Sequence, residues 1–519
     1  MTSSINRVLI VGGGTAGWLT AGILANQLNS NDPQAVQVTL VESPNIPILG
    51  VGEGTWPNLR ATLQKLGVDE TEFMRQCDAT FKQGSEFINW MQPKEDKTHR
   101  YFHPLNAVYH AAYDINLAPY WLQGQAGDGV GYDQAVATQA AVCRAGLAPK
   151  KITTPAYEAI QNYAYHLNAN KFANFLAEHC TSRLGVKHIL ANVTQVSVSE
   201  TGWIESVSTD KDEVIHADFF IDCSGSKGLL IEQALQVSWH SISDCIFNDT
   251  AMAIQVPNES DNCPIATHTM ATATDAGWIW DIGLQHRRGI GHVYSSHHCS
   301  DDMAETALRN YIGDKADELS VRKIKMKTGY RDTFWKNNCV AIGMSAAFIE
   351  PLEASAIFLT DAAATMLAEQ FPRNIESVPL VCKKFNQTFQ LRWEKTLDFI
   401  KLHYCISDRR DSRYWIDNCQ QASIPESLQQ KLAHWRYHPP SKYDFEYAFE
   451  PFVLDSYLFV LYGMNFPTDI RHNLSSYPDT ESAKQHFSNI QAMGKRLKRE
   501  LPSQRELVSK VYQFGFQSL

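Results

Sequence analysis

A glycine triplet near the start of the chain is the first place where residue type and spacing imply chemistry. Gly12-x-Gly14-x-x-Gly17 follows the apolar run Arg7 to Val11 and opens a helical stretch from Trp18 to about Leu28. Between a strand and a helix, Gly12 permits a tight turn, Gly14 lets the backbone approach a pyrophosphate, and Gly17 lets the helix pack on its sheet. The N–H groups and positive dipole end at such a helix start receive phosphates. Glu42 closes the next apolar run, Val36 to Val41, where a carboxylate accepts from ribose hydroxyls. Two distant segments repeat the strand-to-small-residue pattern: Ala217-Asp218-Phe219-Phe220-Ile221-Asp222-Cys223-Ser224-Gly225 and Cys339-Val340-Ala341-Ile342-Gly343-Met344. Three such crossings suit a long ligand such as FAD. No second Gly-x-Gly-x-x-Gly is present for NAD, so the electron donor is expected on another protein.

Two other patterns invite chemistry and are set aside. His292, His297, His298 and Cys299 suggest a metal, but adjacent ligands on a strand point to opposite faces, so no metal is assigned. The cysteines are odd in number and scattered, and the nearest pair is Cys405 and Cys419. That spacing fits neither a disulfide framework nor a zinc site, and points to reduced thiols in a cytoplasmic protein.

At the level of ordered motifs the chain resembles the flavin-dependent halogenases of the tryptophan halogenase family, over nearly its whole length. Gly12-Gly13-Gly14-Thr15-Ala16-Gly17-Trp18 is similar to the family's opening, and Val51-Gly52-Glu53-Gly54-Thr55-Trp56-Pro57 to the loop that covers the flavin. The segment Phe73 to Gly84 resembles the one carrying the catalytic lysine, here Lys82. Trp278-Ile279-Trp280-Asp281-Ile282-Gly283 resembles a Trp-x-Trp-x-Ile-Pro signature, and Glu350-Pro351-Leu352-Glu353-Ala354-Ser355-Ala356 the segment of the catalytic glutamate, here Glu353. Leu402-His403-Tyr404 and Tyr414-Trp415 are further landmarks. The chain departs from the pattern at Gly283 (Pro in the signature), Ala354 (often Ser) and Ala356 (often Gly).

The resemblance implies that reduced FAD from a separate flavin reductase, with oxygen and chloride or bromide, yields hypohalous acid. That acid halogenates a small electron-rich aromatic, tryptophan or another indole first. Lys82 holds the hypohalous acid, and Glu353 polarises it or assists loss of the ring proton. Thr15, Ala16, Gly50, Val51, Gly343, Met344 and Leu352 join the glycines and Glu42 around the cofactor. Ser355 and Ala356 offer N–H groups to the halide, while His103, Trp278, Trp280 and Tyr457 line the substrate side. The chemistry of the side chains agrees. An ammonium in a water-poor site donates to hypohalous acid, or becomes a nucleophile if burial depresses its pKa. A carboxylate accepts protons released in aromatic substitution. Taken singly, each residue has a plainer reading: Lys82 as a solvated surface lysine, Glu353 as a cap on a helix beginning near Ser355, His103 as a core histidine, Trp278 and Trp280 as core aromatics. Two rival functions stand beside the halogenase: an FAD-dependent aromatic hydroxylase, which needs no Lys82, and a flavin-binding protein without catalysis.

These residues require a positioning frame. Helices are expected over 58–66 and 70–77, helical spacing runs over 157–183 (Ile160, Tyr163, Leu167, Phe172, Phe175, Leu176), and strands alternate over 187–222. An antiparallel sheet is expected over 247–340, and helices over 355–404 with Pro372 and Pro379 as breaks. The fold class is therefore mixed α/β: a Rossmann-like FAD-binding module of flavin-monooxygenase type, an inserted β-sheet and a mainly helical C-terminal substrate part. The FAD module is discontinuous (1–100, 150–235, 335–370), with substrate-side sheet and loops at 101–149 and 236–334 and helices at 371–519. A length of 519 residues alone suggests about three domains in a row. A net charge of -10 argues against nucleic acid, and no apolar run approaches the ~20 residues of a membrane span. The first residues show no signal-peptide core. The basic run Lys495, Arg496, Lys498, Arg499 reads as a solvated face, and the oligomeric state, homodimer included, stays open. Aromatics at 11% fit either core packing or a ring-walled cavity.

Overall fold

Unbroken apolar runs such as Val8–Val11 and Phe219–Ile221 belong to strands covered on both faces, and both are buried. The computed structural model, which describes residues 4–32, 35–46, 52–93, 97–109, 112–445 and 448–517, pairs them in a parallel sheet. The chain divides into two compact units: Met1–Ala79, Leu167–Ile242 and Lys327–Trp393 form the first, and Thr80–His166, Ser243–Met326 and Glu394–Leu519 the second.

The first unit is built on a six-stranded sheet in the order Trp335–Lys336, Cys339–Ala341, Phe219–Asp222, Arg7–Val11, Gln37–Glu42, Lys187–Leu190. All neighbours are parallel except the edge strand Trp335–Lys336. The helix Thr15–Gln27 buries Trp18, Leu19 and Leu24 and packs against the helices Ser355–Glu369 and Ala169–Arg183. The second unit holds a seven-stranded sheet in the order Arg322–Lys325, Thr250–Pro257, Arg287–Tyr294, Gly277–Gly283, Thr269–Ala273, Gly84–Ile88, Arg100–Pro104. It is antiparallel apart from the parallel pair of Thr269–Ala273 with Gly84–Ile88. A short strand Thr80–Lys82 runs antiparallel to Ala164–Leu167.

Three expectations change. The helical spacing over 157–183 resolves into the strand Ala164–Leu167 and the helix Ala169–Arg183. The division falls at Asn168, whose side chain accepts from Lys171 N and caps the helix. Pro379 breaks nothing: it is the second residue of the helix Val378–Cys405, where the missing N–H would have had no intrahelical partner. The region 247–340 also contains the helix Asp301–Ile312, capped by Ser300 and packed through Ala304 and Leu308 beneath the sheet.

An ionic network stiffens the second unit. Burial pushes the Glu86 carboxyl up, but hydrogen bonding to Arg144 and the charges of His268, Arg144 and Arg100 outweigh it and hold the group below its ordinary range. Glu86 lies 2.9 Å from Arg144 and 3.0 Å from Arg100. His268, 3.9 Å from Glu86, is lowered to about 4, chiefly by burial, with Glu86 opposing. Its folded value lies below the unfolded one of about 6.5, so neutral His268 contributes stability above that pH and loses it as pH falls toward 4. The effect is about 3 kcal/mol. His268→Gln should therefore flatten the fall of melting temperature between pH 6.5 and 4, measured by calorimetry. His166 and His292, also lowered by burial, keep part of the slope. A variant curve parallel to that of the parent would show that His268 is not the titrating group.

Candidate active site

The first unit contains, among the described residues, those expected around the cofactor and halide. Gly12 has φ +118, and a Cβ there would stand 2.2 Å from Cys223 O, so only glycine fits. A Cβ on Gly17 would meet Gly12 O at 1.9 Å, which is the close helix–turn approach the spacing requires. Gly14 differs: nothing lies within 4 Å of its Cβ position. It is the N-cap of the helix Thr15–Gln27, with no side-chain cap and no acidic residue in the first turn. The N–H groups following Gly14 thus face an open cradle of positive potential, and Thr15 and Ala16 are only half-buried. Gly343, at φ +78, brings the third crossing to the same turn, its Cβ position 2.6 Å from Ala16 Cβ. Met344 continues the short turn Gly343–Ser345.

Glu42 ends its strand as expected, and its carboxylate is oriented by two residues that sequence reasoning did not assign to it. Trp18 Nε1 donates to Glu42 Oε2 at 3.3 Å, and His188 Nε2, on the neighbouring strand, lies 3.1 Å from the same oxygen. Trp18 and His188 meet edge to face at 4.9 Å. One signal existed, the Trp after the last glycine. His188 had none, because its partnership depends on strand order. An open glycine cradle, an uncapped helix start and an oriented carboxylate fit a dinucleotide's pyrophosphate and ribose. Gly50 and Val51 lie outside the described residues.

Glu353 is buried, at 5% exposure, and is not the N-cap of the helix Ser355–Glu369. The N-cap is Ala354, in the left-handed region at φ 53, and no side chain caps this helix start. Leu352 is fully buried beside it. Trp56 Nε1 donates to Glu353 O at 2.8 Å, and the Trp56 ring stacks on Phe358 at 4.3 Å. The loop before Asn58 is thereby tied to the glutamate turn. Ser355 is buried and Ala356 exposed, so the uncapped N–H groups of this 15-residue helix begin at the expected halide position. Sequence reasoning passed over Glu53, whose carboxyl burial pushes up to about 7.

The second unit holds Lys82 and the substrate-side residues. Lys82 is 2% exposed, which removes its reading as a surface lysine. Its strand is clamped on both sides. Thr80 Oγ1 donates to Gly283 O at 2.7 Å, Gln83 N to Thr267 O at 2.7 Å, and Gln504 Nε2 to Phe81 O at 2.6 Å. His103 and Tyr457 meet on one ring, Phe399, at centroid distances of 5.8 and 4.9 Å. Tyr457 Oη is buried without a hydrogen-bond partner among the described residues, and burial drives the phenol well above its ordinary value. Trp278 and Trp280 pair with each other at 6.3 Å on the buried strand Gly277–Gly283. The histidine run is spent on packing: His292 bonds Thr274 Oγ1 and Ala304 O, while His298 bonds Ser295 and Asp417.

The open space at Gly14 yields a direct test. Gly14→Val is expected to fold with an unchanged melting temperature and to lose FAD affinity at least about tenfold, since one pyrophosphate contact is worth more than about 1.4 kcal/mol. Flavin retention on gel filtration and thermal shift measure the two. Undiminished flavin binding would place the cofactor elsewhere.

Comparison with known proteins agrees with this geometry. The family model for tryptophan halogenase matches residues 7–479. Tryptophan 6-halogenase SttH of Streptomyces toxytricini is 34% identical, covering 97% of this chain and 98% of its own. Tryptophan 7-halogenase RebH of Lentzea aerocolonigenes is 33% identical, covering 98% and 99%. Among solved structures, a tryptophan halogenase from Shewanella frigidimarina superposes with a TM-score of 0.96 at 45% identity over 100% of both chains. The chain belongs to the tryptophan halogenase family.

Proposed function

We propose that this enzyme uses FAD, oxygen and chloride or bromide to halogenate an electron-rich aromatic, tryptophan or another indole, with Lys82 as the residue that holds hypohalous acid. The observation that carries the reading is the burial of Lys82 on a short strand clamped from both sides. Hiding a lysine without function is costly, since an ammonium prefers water. Reduced FAD, delivered by a separate flavin reductase, supplies with oxygen the oxidising power that turns halide into hypohalous acid. The glycine cradle and Glu42 would hold its pyrophosphate and ribose, and the N–H groups at Ser355 and Ala356 would hold the halide. The Lys82 ammonium donates a hydrogen bond to the oxygen of hypohalous acid. This makes the halogen more electrophilic and keeps the reagent from diffusing away. As the carbon–halogen bond forms, the halogen–oxygen bond breaks and the oxygen leaves as water, taking its second proton from the Lys82 ammonium, which the proton lost by the ring later restores. Glu353 accepts the proton lost by the ring. His103, Trp278, Trp280 and Tyr457 supply ring surfaces for the substrate side.

Lys82→Met should reduce halogenated product at least about a hundredfold while FAD binding and oxygen consumption persist. The assay is mass spectrometry of an indole and phenol panel incubated with a flavin reductase, NADH and bromide. Product formation that survives the substitution refutes the role of Lys82. A hydroxylated product made without halide would make the protein a hydroxylase instead.

A further inference from the structure

His166 stands outside every motif that pointed to the chemistry, yet the fold sets it beside Lys82. In the ladder of Thr80–Lys82 with Ala164–Leu167, Thr80 faces His166 and Lys82 faces Ala164. Lys82 and His166 therefore project from the same face, one diagonal apart, within reach of two long side chains. His166 is fully buried. Its Nε2 lies 2.8 Å from Thr269 Oγ1, and its Nδ1 is buried with no hydrogen-bond partner among the described residues. A buried polar atom is rarely left in that condition without a reason.

The surrounding charges settle which form of the ring is stable. Burial first, then the charge of Lys82, then that of His268, hold the imidazole far below its ordinary value, so it is neutral. These are the groups that face it: Lys82 from the paired strand Thr80–Lys82, and His268 from the residue before Thr269–Ala273, with Glu86, Arg144, Arg100 and Asp281 acting on His268 in turn. A neutral ring has one N–H and one lone pair. An N–H directed at an ammonium is repelled and a lone pair is attracted. The favoured tautomer donates Nε2–H to Thr269 Oγ1 and leaves the lone pair on Nδ1.

We infer that His166 is the positioning residue for Lys82: anchored through Nε2–H on Thr269, its Nδ1 lone pair steadies the ammonium in the orientation that donates to hypohalous acid. This rests on Lys82 holding that acid. No proton is transferred in the step, because the lone pair of His166 acts on the ammonium by electrostatic attraction across space, without a hydrogen bond, and the ring stays neutral.

The experiment compares the holoenzyme with His166→Phe, His166→Asn, Thr269→Val and Lys82→Met, reading halogenation rate against pH and the ring ¹⁵N spectrum of histidine-labelled protein. Loss of the lone pair disfavours the ammonium. In His166→Phe, halogenation should fall about tenfold and the alkaline limb of its pH profile should move down by about one unit. His166→Asn offers an amide oxygen near the place of Nδ1 and should restore the limb, which a merely structural role would not do. The parent spectrum should show His166 Nδ1 unprotonated, with a signal that shifts in Lys82→Met. An unmoved limb in His166→Phe, or a protonated Nδ1, overturns the inference. If His166→Phe fails to fold, Thr269→Val decides on the same two readouts, since freeing the ring from its anchor should move the limb in the same direction. Halogenation surviving in Lys82→Met would sink the functional reading itself; a dead Lys82→Met beside an unmoved limb sinks only the role of His166.

Discussion

The cofactor-side unit depends on the way Asp222 is buried. It is fully enclosed, and its carboxylate is satisfied by hydrogen-bond donors. Oδ1 accepts from Ser224 N and Oγ, and Oδ2 accepts from Leu230 N and Ile231 N at 2.8 and 2.9 Å. Its carbonyl accepts from Ile342 N and from Ser345 Oγ. One residue thus fixes the turn after its own strand and the turn after Cys339–Ala341. Parallel register does the rest: Val11 faces Asp222, and Asp222 faces Ala341. The three turns end level, at the carboxyl ends of parallel strands, where open α/β sheets bind ligands. An uncompensated carboxylate would be too costly to bury there, so the donors that satisfy it are fixed along with it.

The second unit meets a different difficulty, which is to hold a flexible lysine still. The Lys82 stem has four rotatable carbons, and rotamer freedom costs free energy whenever it is lost. The clamps on Thr80, Phe81 and Gln83 remove backbone freedom from the strand, leaving only the side chain to be ordered. Those clamps come from Gly283, Gln504 and Thr267, as far as 423 residues away in sequence. That separation is why the motif around Lys82 is recognisable while its support is not. Gly283 gains a meaning here, since its carbonyl takes the Thr80 hydroxyl.

What could be read in advance was what local geometry dictates. The glycine turn was legible because a Cβ at Gly12 or Gly17 has no room, and such constraints act within a few residues. The parallel core strands were legible as unbroken apolar runs. The helix over 157–183 was misread because Tyr163, Leu167 and Phe172 mimic helical spacing, while the cap at Asn168 that ends the strand lies inside the run. Glu353, read as catalytic from its motif, had a helix cap as its plainer alternative, because charged residues near helix starts often cap them. The backbone instead enters the helix through Ala354, in the left-handed region, as the N-cap. His188 and His166 were invisible because each is defined by a strand neighbour. Their roles arise from pairing order, which no single stretch of sequence contains.

The abundance of aromatic residues can now be divided by what each indole N–H does. Trp56, Trp90, Trp121, Trp239, Trp335 and Trp415 donate to backbone carbonyls, and Trp18 donates to Glu42. These rings act as struts: each buries a large apolar face and spends its polar edge on a loop or strand that needs fixing. A ring used in this way is not free to move against a substrate. Trp280 and Trp435 differ, their buried Nε1 atoms having no partner among the described residues. Trp280 also lies over Gly291, where any Cβ would stand 2.2 Å from its ring. The glycine on the adjacent strand is thus demanded by the tryptophan. A side chain there would push the ring out of its layer, whereas the six carbonyl-bonded tryptophans are held by their hydrogen bonds. The same residue type therefore does two jobs, and the N–H partner, not the count, tells them apart.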